Sequence, residues 1–284
     1  MTQANKLKQL LASGTAPLAI GIYDCISARI AQKVGFEVAL MSGYGVSGSV
    51  LGMPDYGMIT MTEMCTMVRN MTRVLDIPLI ADGDTGYGNP LNVRRTVMEY
   101  EDAGAAAIQL EDQLFPKRCG HMDGKTVIPM EEHCRKIEMA ANTRKDMLIL
   151  ARTDAANTHG TDEAIKRCNA YFEAGADFVL IDAAPSRDLE YIRKSIKAPM
   201  MINQVEGGKT DIVDRSELRN LGFNLICYPT FALFANVFYS EKMLTELLNR
   251  GTSKNLMQDI TTFKGYTAMV GLPQLQELEK KYVL

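Results

Sequence analysis

The sequence predicts an α/β fold, a (β/α)8 barrel of the TIM type, on three observations. Short apolar runs of strand length recur eight times, near residues 17–22, 37–42, 77–82, 106–111, 147–152, 177–182, 199–203 and 223–228. Helical pattern separates most of them, and four are entered the same way, through an amphipathic stretch and a glycine. The runs also end on polar or ionisable residues, which in a barrel converge on one rim. A doubly wound sheet is the runner-up. Eight βα units and the lack of a proline/serine-rich linker favour a single barrel domain over 1–284, with 231–284 as a helical extension.

In chain order, a short helix over 6–13 stops at Gly14 and the first run, 17–22, leads to Asp24. The glycine signature follows at Gly35, and returns at Gly104, Gly175 and Gly222. Each reads as a helix stopped by a left-handed glycine, with a buried strand beginning at once. The runs near 78–81, 147–151 and 199–202 lack the glycine but show the same unbroken apolar character. Strands without alternation are buried on both faces, which is the mark of a parallel sheet. After the eighth run come three more helical stretches, 231–250, 254–265 and 273–282. One barrel helix would suffice there, so the surplus is read as packing on a neighbouring subunit.

Composition narrows the function classes. The chain is 46% hydrophobic and 23% charged, as in ordinary globular proteins. The net charge is 31 − 34 = −3 with no basic block, which argues against nucleic-acid binding. No run of about 18 apolar residues could span a bilayer, and the N-terminus has no signal-peptide core, so a cytoplasmic protein is expected. The six cysteines are too scattered for a zinc motif or a disulfide framework. Five read as small buried apolar residues; Cys119 stands apart by its neighbours.

The polar residues ending the runs are Asp24; Ser42, Gly43 and Tyr44; Asp82 and Asp84; Glu111 and Asp112; Arg152 and Asp154; Asp182; and Asn203. Carboxylates crowded on one rim repel unless positive charge lies among them. An oxygen-only set suits Mg²⁺ or Mn²⁺ completed by water. A salt-bridge network with Arg152 and Lys117 is the alternative. Cys119 lies between Arg118 and Gly120, close to Lys117 and His121. Cationic neighbours lower a thiol's pKa and favour proton transfer. Gly120 and Gly124 suit a gate that closes over substrate, and Gly83, Gly86 and Gly88 suit a sharp turn beside a ligand. His133 and His159 have no metal-ligand spacing and read as surface or packing residues.

These residues resemble those of the isocitrate lyase / phosphoenolpyruvate mutase superfamily. The likeness runs from Gly21 to about Asn203 and is carried by Ser42-Gly-Tyr44, Pro54-Asp55, Asp82-Gly-Asp-Thr-Gly-Tyr-Gly88, Gln109-Leu-Glu-Asp112, Lys117-Arg-Cys-Gly-His121 and Ala151-Arg-Thr-Asp154. The cysteine loop is the most discriminating, because in the family it marks carbon–carbon lyases. The resemblance implies a Mg²⁺-dependent barrel, a helix swapped between subunits after the eighth strand, and a homotetramer. It implies that Asp55, Asp82, Asp84 and Glu111 hold the metal, directly or through water. Ser42, Gly43, Tyr44, Asp82, Gly120, His121, Arg152 and Asn203 would bind substrate, and Cys119 would be the general acid, supported by Lys117 and His121.

Methylisocitrate lyases tend to have Ser-Gly-Gly where this chain has Ser42-Gly-Tyr44, and a tyrosine where it has Leu40. Their signature after the seventh strand is altered here to Asn203-Gln-Val-Glu-Gly-Gly208. Tyr44 would shrink the pocket and supply a phenol as base or hydrogen-bond donor. The expected reaction is therefore cleavage of a 2,3-dimethylmalate-like 2-hydroxy dicarboxylate to an α-keto acid and a carboxylate, as in the dimethylmalate lyase and petal-death-type branch. A tricarboxylate (methylisocitrate) lyase, an oxaloacetate hydrolase and an oxaloacetate decarboxylase are the alternatives. A phosphonomutase or a non-catalytic keto-acid sensor ranks below them.

Overall fold

Glycine ends the helices where the sequence places the stops. Gly35, Gly104, Gly175 and Gly222 all have left-handed backbones, with φ of 99°, 95°, 109° and 97°. An L side chain is disfavoured there, so the chain turns out of the helix and enters the next strand. The computed structural model describes residues 1–120, 122 and 124–283.

The first half runs α1 (Gln3–Ala12), β1 (Leu18–Ile22), α2 (Cys25–Val34), β2 (Val38–Met41), α3 (Gly43–Val46), α4 (Met61–Thr72), β3 (Leu79–Asp82), α5 (Pro90–Asp102) and β4 (Ala107–Glu111). The second continues with α6 (Met130–Thr143), β5 (Leu148–Thr153), α7 (Ala156–His159), α8 (Thr161–Glu173), β6 (Phe178–Ile181), α9 (Leu189–Ser195), β7 (Met201–Asn203), α10 (Arg215–Leu221) and β8 (Leu225–Tyr228). The eight strands pair in parallel in the order β6-β5-β4-β3-β2-β1-β8-β7. The remaining gap is bridged by Val179 and Met200, whose neighbourhood is joined by the Val179 amide donating to Pro199 O at 2.9 Å. This is the expected barrel, and the doubly wound alternative falls.

Residues two apart on the strands share the interior: Val38 and Leu40, Leu148 and Leu150, Phe178 and Leu180, Leu225 and Cys227. Leu7 and Leu11 of α1 join this cluster. Each such leucine contributes about 1.5–3 kcal/mol on burial. The helix begins at Gln3 rather than residue 6 because the Thr2 hydroxyl accepts the Asn5 amide and caps it. Cys65, Cys168 and Cys227 are buried as expected, whereas Cys25 and Cys134 are half-buried, on helices between core and solvent. His133 is a packing residue, wholly buried with its ring 4.6 Å from that of Tyr171, edge to face.

The chain divides into two compact units, Met1–Ala232 and Leu233–Leu284. The second contains most of α11 (Phe231–Arg250), then α12 (Phe263–Met269) and α13 (Leu272–Tyr282). The helix expected over 254–265 is a correction: residues 254–258 are turns, and Thr262 restarts a helix by capping Gly265 at 3.0 Å. Among the described residues no helix is long and apolar enough to cross a membrane.

Candidate active site

The C-terminal ends of the strands carry the polar groups, and backbone geometry brings them together. Asp82 ends β3, and its carboxylate is fixed by three donors. Gly43 N donates to Oδ2 at 3.1 Å, Asp84 N to Oδ1 at 3.1 Å, and Gln109 Nε2 to Oδ1 at 3.4 Å. A Cβ on Gly43 would lie 2.8 Å from Asp82 Oδ2, so only glycine allows this approach. Asp84 adopts a left-handed backbone with φ of 48°, a conformation that costs a non-glycine residue energy and is characteristic of functional sites. Its carbonyl accepts the Glu111 amide at 2.9 Å, which sets β4's terminal carboxylate beside it. Tyr100 Oη clamps the Asp82 carbonyl at 3.1 Å from below the turn.

Lys117 reaches into this set from the loop after β4. Its Nζ lies 2.8 Å from each oxygen of Asp55 and 2.7 Å from Asp84 Oδ1, all wholly buried. Burial alone would lower the ammonium's pKa, but Asp84, Glu111 and Asp55 overcome that and hold it well above its usual value. Asp55 also accepts the Cys119 amide on its carbonyl at 3.2 Å. The same aspartate therefore ties down Lys117 and Cys119.

Arg152, level with Glu111 across the β4–β5 pair, forms the second half of the site. It grips Asp154 through Nε at 2.9 Å and Nη2 at 3.1 Å, Asp182 through Nη2 at 2.9 Å, and Glu111 through Nη1 at 3.3 Å. Asn203 Nδ2 donates to Asp182 Oδ1 at 2.8 Å, and Lys125 Nζ to Asp154 Oδ1 at 2.7 Å and to the Gly120 carbonyl. Gly120 lies directly on this network, since a Cβ there would sit 1.7 Å from Asp182 Oδ2. Asp112 looks inward to the scaffold instead. It accepts Thr153 Oγ1, Tyr171 Oη, Arg167 Nη1 and the Asp154 amide at 2.6–2.9 Å, locking the end of β5 to β4.

Tyr44 is half-buried, and its phenol is pushed above its ordinary value by burial, then by the charges of Cys119 and Asp55. Cys119 is half-buried beside it. Ser42 is buried at the start of α3, with no side-chain capping bond. His121 lies outside the described residues. Asp24 instead caps α2, accepting the Ser27 amide at 2.6 Å, whereas Gly43, Asp55, Asp82, Asp84, Glu111, Lys117, Gly120, Arg152 and Asn203 fall within these two networks and Cys119 joins them through the Asp55 carbonyl. Asp154, Asp182 and Lys125 were not assigned roles from the sequence. The two aspartates were visible as strand ends; Lys125 sits in a polar loop whose composition gives no sign that its ammonium is buried.

The ion pairs with Lys117 and Arg152 are present, so the salt-bridge alternative describes part of the site. It does not use up the acids. Six carboxylates (Asp55, Asp82, Asp84, Glu111, Asp154, Asp182) meet three cations (Lys117, Lys125, Arg152), a formal excess of 6 − 3 = 3 negative charges. Asp84 Oδ2 and Glu111 Oε1 are buried with no partner. Burial pushes Asp84 up to about 6 and Glu111 well above the carboxylate range, against the pull of Lys117 and Arg152. Two bare, dehydrated oxygens with surplus negative charge fit a hard divalent cation. Among the described residues no three acidic, histidine or cysteine groups form a ready metal cage.

A family model described as phosphoenolpyruvate phosphomutase matches residues 7–248. The chain is 41% identical to 2,3-dimethylmalate lyase of Eubacterium barkeri over 99% of both proteins. The chain belongs to the PEP mutase/isocitrate lyase superfamily. Among solved structures of this superfamily, 2,3-dimethylmalate lyase in a trigonal crystal form superposes with a TM-score of 0.94 at 31% identity, covering 100% of this chain and 96% of that one. Oxaloacetate acetylhydrolase in complex with 3,3-difluorooxalacetate superposes with a TM-score of 0.92 at 31% identity, covering 99% and 97%. Within the superfamily the chain is a carbon–carbon lyase, as its cysteine loop leads one to expect.

Proposed function

We propose that this lyase cleaves the C2–C3 bond of a 2-hydroxy dicarboxylate of the 2,3-dimethylmalate type, with Mg²⁺, to pyruvate and a propionate-like carboxylate. The observation that carries the reading is Cys119, half-buried beside Tyr44 and tethered to Asp55, next to carboxylates with bare oxygens. Similarity to 2,3-dimethylmalate lyase over the full chain supports the substrate class.

Asp84 and Glu111 would hold the metal directly, with Asp55 and Asp82 acting on its waters or on their neighbours. Bound Mg²⁺ supplies Lewis-acid polarisation of the α-oxy-carboxylate oxygens. Arg152 then orients a substrate carboxylate, aided by the Ser42 and Gly43 end of β2 and by Asn203. The C2 hydroxyl gives its proton to a base of the site, and the oxygen electrons form the C2 carbonyl as C2–C3 breaks. The departing electron pair delocalises into the neighbouring carboxylate as an aci-carboxylate. Cys119 gives its proton to C3, and Tyr44 as a donor steadies developing negative charge. Lys117 keeps Asp55 and Asp84 in place throughout. A gate over the site would exclude water from the carbanionic fragment.

A pyruvate-release assay on 2,3-dimethylmalate, 2-methylisocitrate and oxaloacetate tests the reading, with Cys119→Ser and with EDTA. Release from dimethylmalate is expected to fall about 10²–10⁴-fold in the variant and to vanish with chelation. Cysteine-independent pyruvate from oxaloacetate alone would make the protein a decarboxylase, and methylisocitrate as sole substrate would overturn the role given to Tyr44. Oxaloacetate hydrolysis is a second reading, favoured by the superposition on oxaloacetate acetylhydrolase; it would yield oxalate and acetate. We further propose a cytoplasmic homotetramer with a swapped C-terminal helix. Residues 233–284 leave Phe238, Leu248 and Phe263 exposed by 63%, 83% and 85%, an apolar surface suited to a second copy. Light scattering should find four copies of the 31.4 kDa chain.

A further inference from the structure

The loop that carries Lys117 and Cys119 leaves β4 through a short antiparallel stem. Leu114 N donates to Thr126 O at 2.7 Å, Ile128 N to Asp112 O at 2.9 Å, and Gln113 bridges Val127. From this stem the Gln113 side chain, 1% exposed, reaches across to the peptide groups of Arg118. Its Nε2 donates to Arg118 O at 2.8 Å and its Oε1 accepts Arg118 N at 3.0 Å. An amide side chain thus does what a neighbouring strand would do, satisfying both backbone groups of one residue. Arg118 is thereby fixed as the pivot between two site residues. Its own guanidinium turns away over the Tyr56 ring at 5.6 Å, while Lys117 turns in to Asp55 and Asp84. Cys119 follows directly, its amide held by the Asp55 carbonyl at 3.2 Å, so the Arg118 peptide groups set where its side chain starts.

We propose that Gln113 is a positioning residue that aims Cys119 by holding the Arg118 peptide groups. Its catalytic consequence rests on the proton-donor role proposed for Cys119. Both bonds are part-buried, and truncating the Gln113 amide removes one acceptor from the Arg118 amide and one donor from its carbonyl at once.

The test is residue-resolved alkylation by iodoacetamide, read by peptide mass spectrometry, of wild type and Gln113→Leu in the full chain. Cys65, Cys168 and Cys227 are buried and report whether the fold is intact. Cys119 is expected to react about tenfold faster in the variant while those three stay protected. A Cys119 rate within about twofold of wild type in a folded variant overturns the proposal. If Gln113→Leu exposes the buried cysteines, Gln113→Glu decides. It is isosteric, still accepts the Arg118 amide, and sets a carboxylate oxygen against the Arg118 carbonyl. A raised Cys119 rate there supports the proposal, and a wild-type rate sinks it. With an active substrate, kcat should fall with KM little changed. Wild type lacking any cysteine-dependent turnover would refute the proposed function, and the alkylation ratio would still decide this inference.

Discussion

Gly43 shows how narrow the tolerances are at single residues. Its amide holds Asp82 Oδ2, and an added Cβ would sit 2.8 Å from that oxygen and 3.5 Å from Asp84 Oδ1. Asp82 cannot swing away, because Asp84 N and Gln109 Nε2 hold its other oxygen. Gly43→Ala should therefore force the Asp82 carboxylate out of its hydrogen-bonded position while leaving the hydrophobic core untouched. Steady-state kinetics should show a loss of about 10²-fold, with an unchanged melting temperature. The strand-end acids were legible in the sequence, since barrel chemistry gathers where strands end. Which oxygen each would offer was not, because that depends on how far Lys117 and Lys125 reach back from a loop. Sequence spacing carries no information about such reach.

At the scale of elements, α6 presses His133 against α8, with Tyr171 edge-on and the charges of Lys136 and Arg167 nearby. Burial, then those two cations, pushes the imidazole from 6.5 down to about 3. It stays neutral in the native state, whereas the unfolded chain takes up a proton below about 6.5. The native state therefore loses stability as pH falls from about 6.5 towards 3, by up to about 5 kcal/mol. Urea unfolding at pH 7, 5 and 4 should show that loss in wild type, and His133→Phe should flatten it. Equal slopes for the two would show that the ring is not the titrating group. The elements themselves were largely readable. Four left-handed glycines end helices as expected, and all eight strands fall where the apolar runs lie. The miss at 254–265 has a local cause, because the Thr262 cap outweighed helical pattern upstream of it.

For the whole molecule, the formal excess of carboxylates over cations around the site predicts a linkage between folding and Mg²⁺. At a hundred times its Kd the ion should stabilise the folded chain by about 2.7 kcal/mol. Differential scanning fluorimetry should show the rise in Tm in wild type and Cys119→Ser, and its loss in Asp84→Asn with Glu111→Gln. A rise that survives the double variant would place the ion elsewhere. The barrel wall is not stitched evenly, since the backbone pairing between the β6 and β7 edges is confined to the Val179–Met200 bridge among the described residues. That seam is where breathing of the wall should start, and amides of β6 should exchange with deuterium sooner than those of β1 and β2. Asp182 and Asn203 face each other across it, joined at 2.8 Å. A substrate gripping Arg152 and Asn203 together would act as a rivet. Slower exchange at Val179 on saturation would then record occupancy of the site without any chemistry taking place.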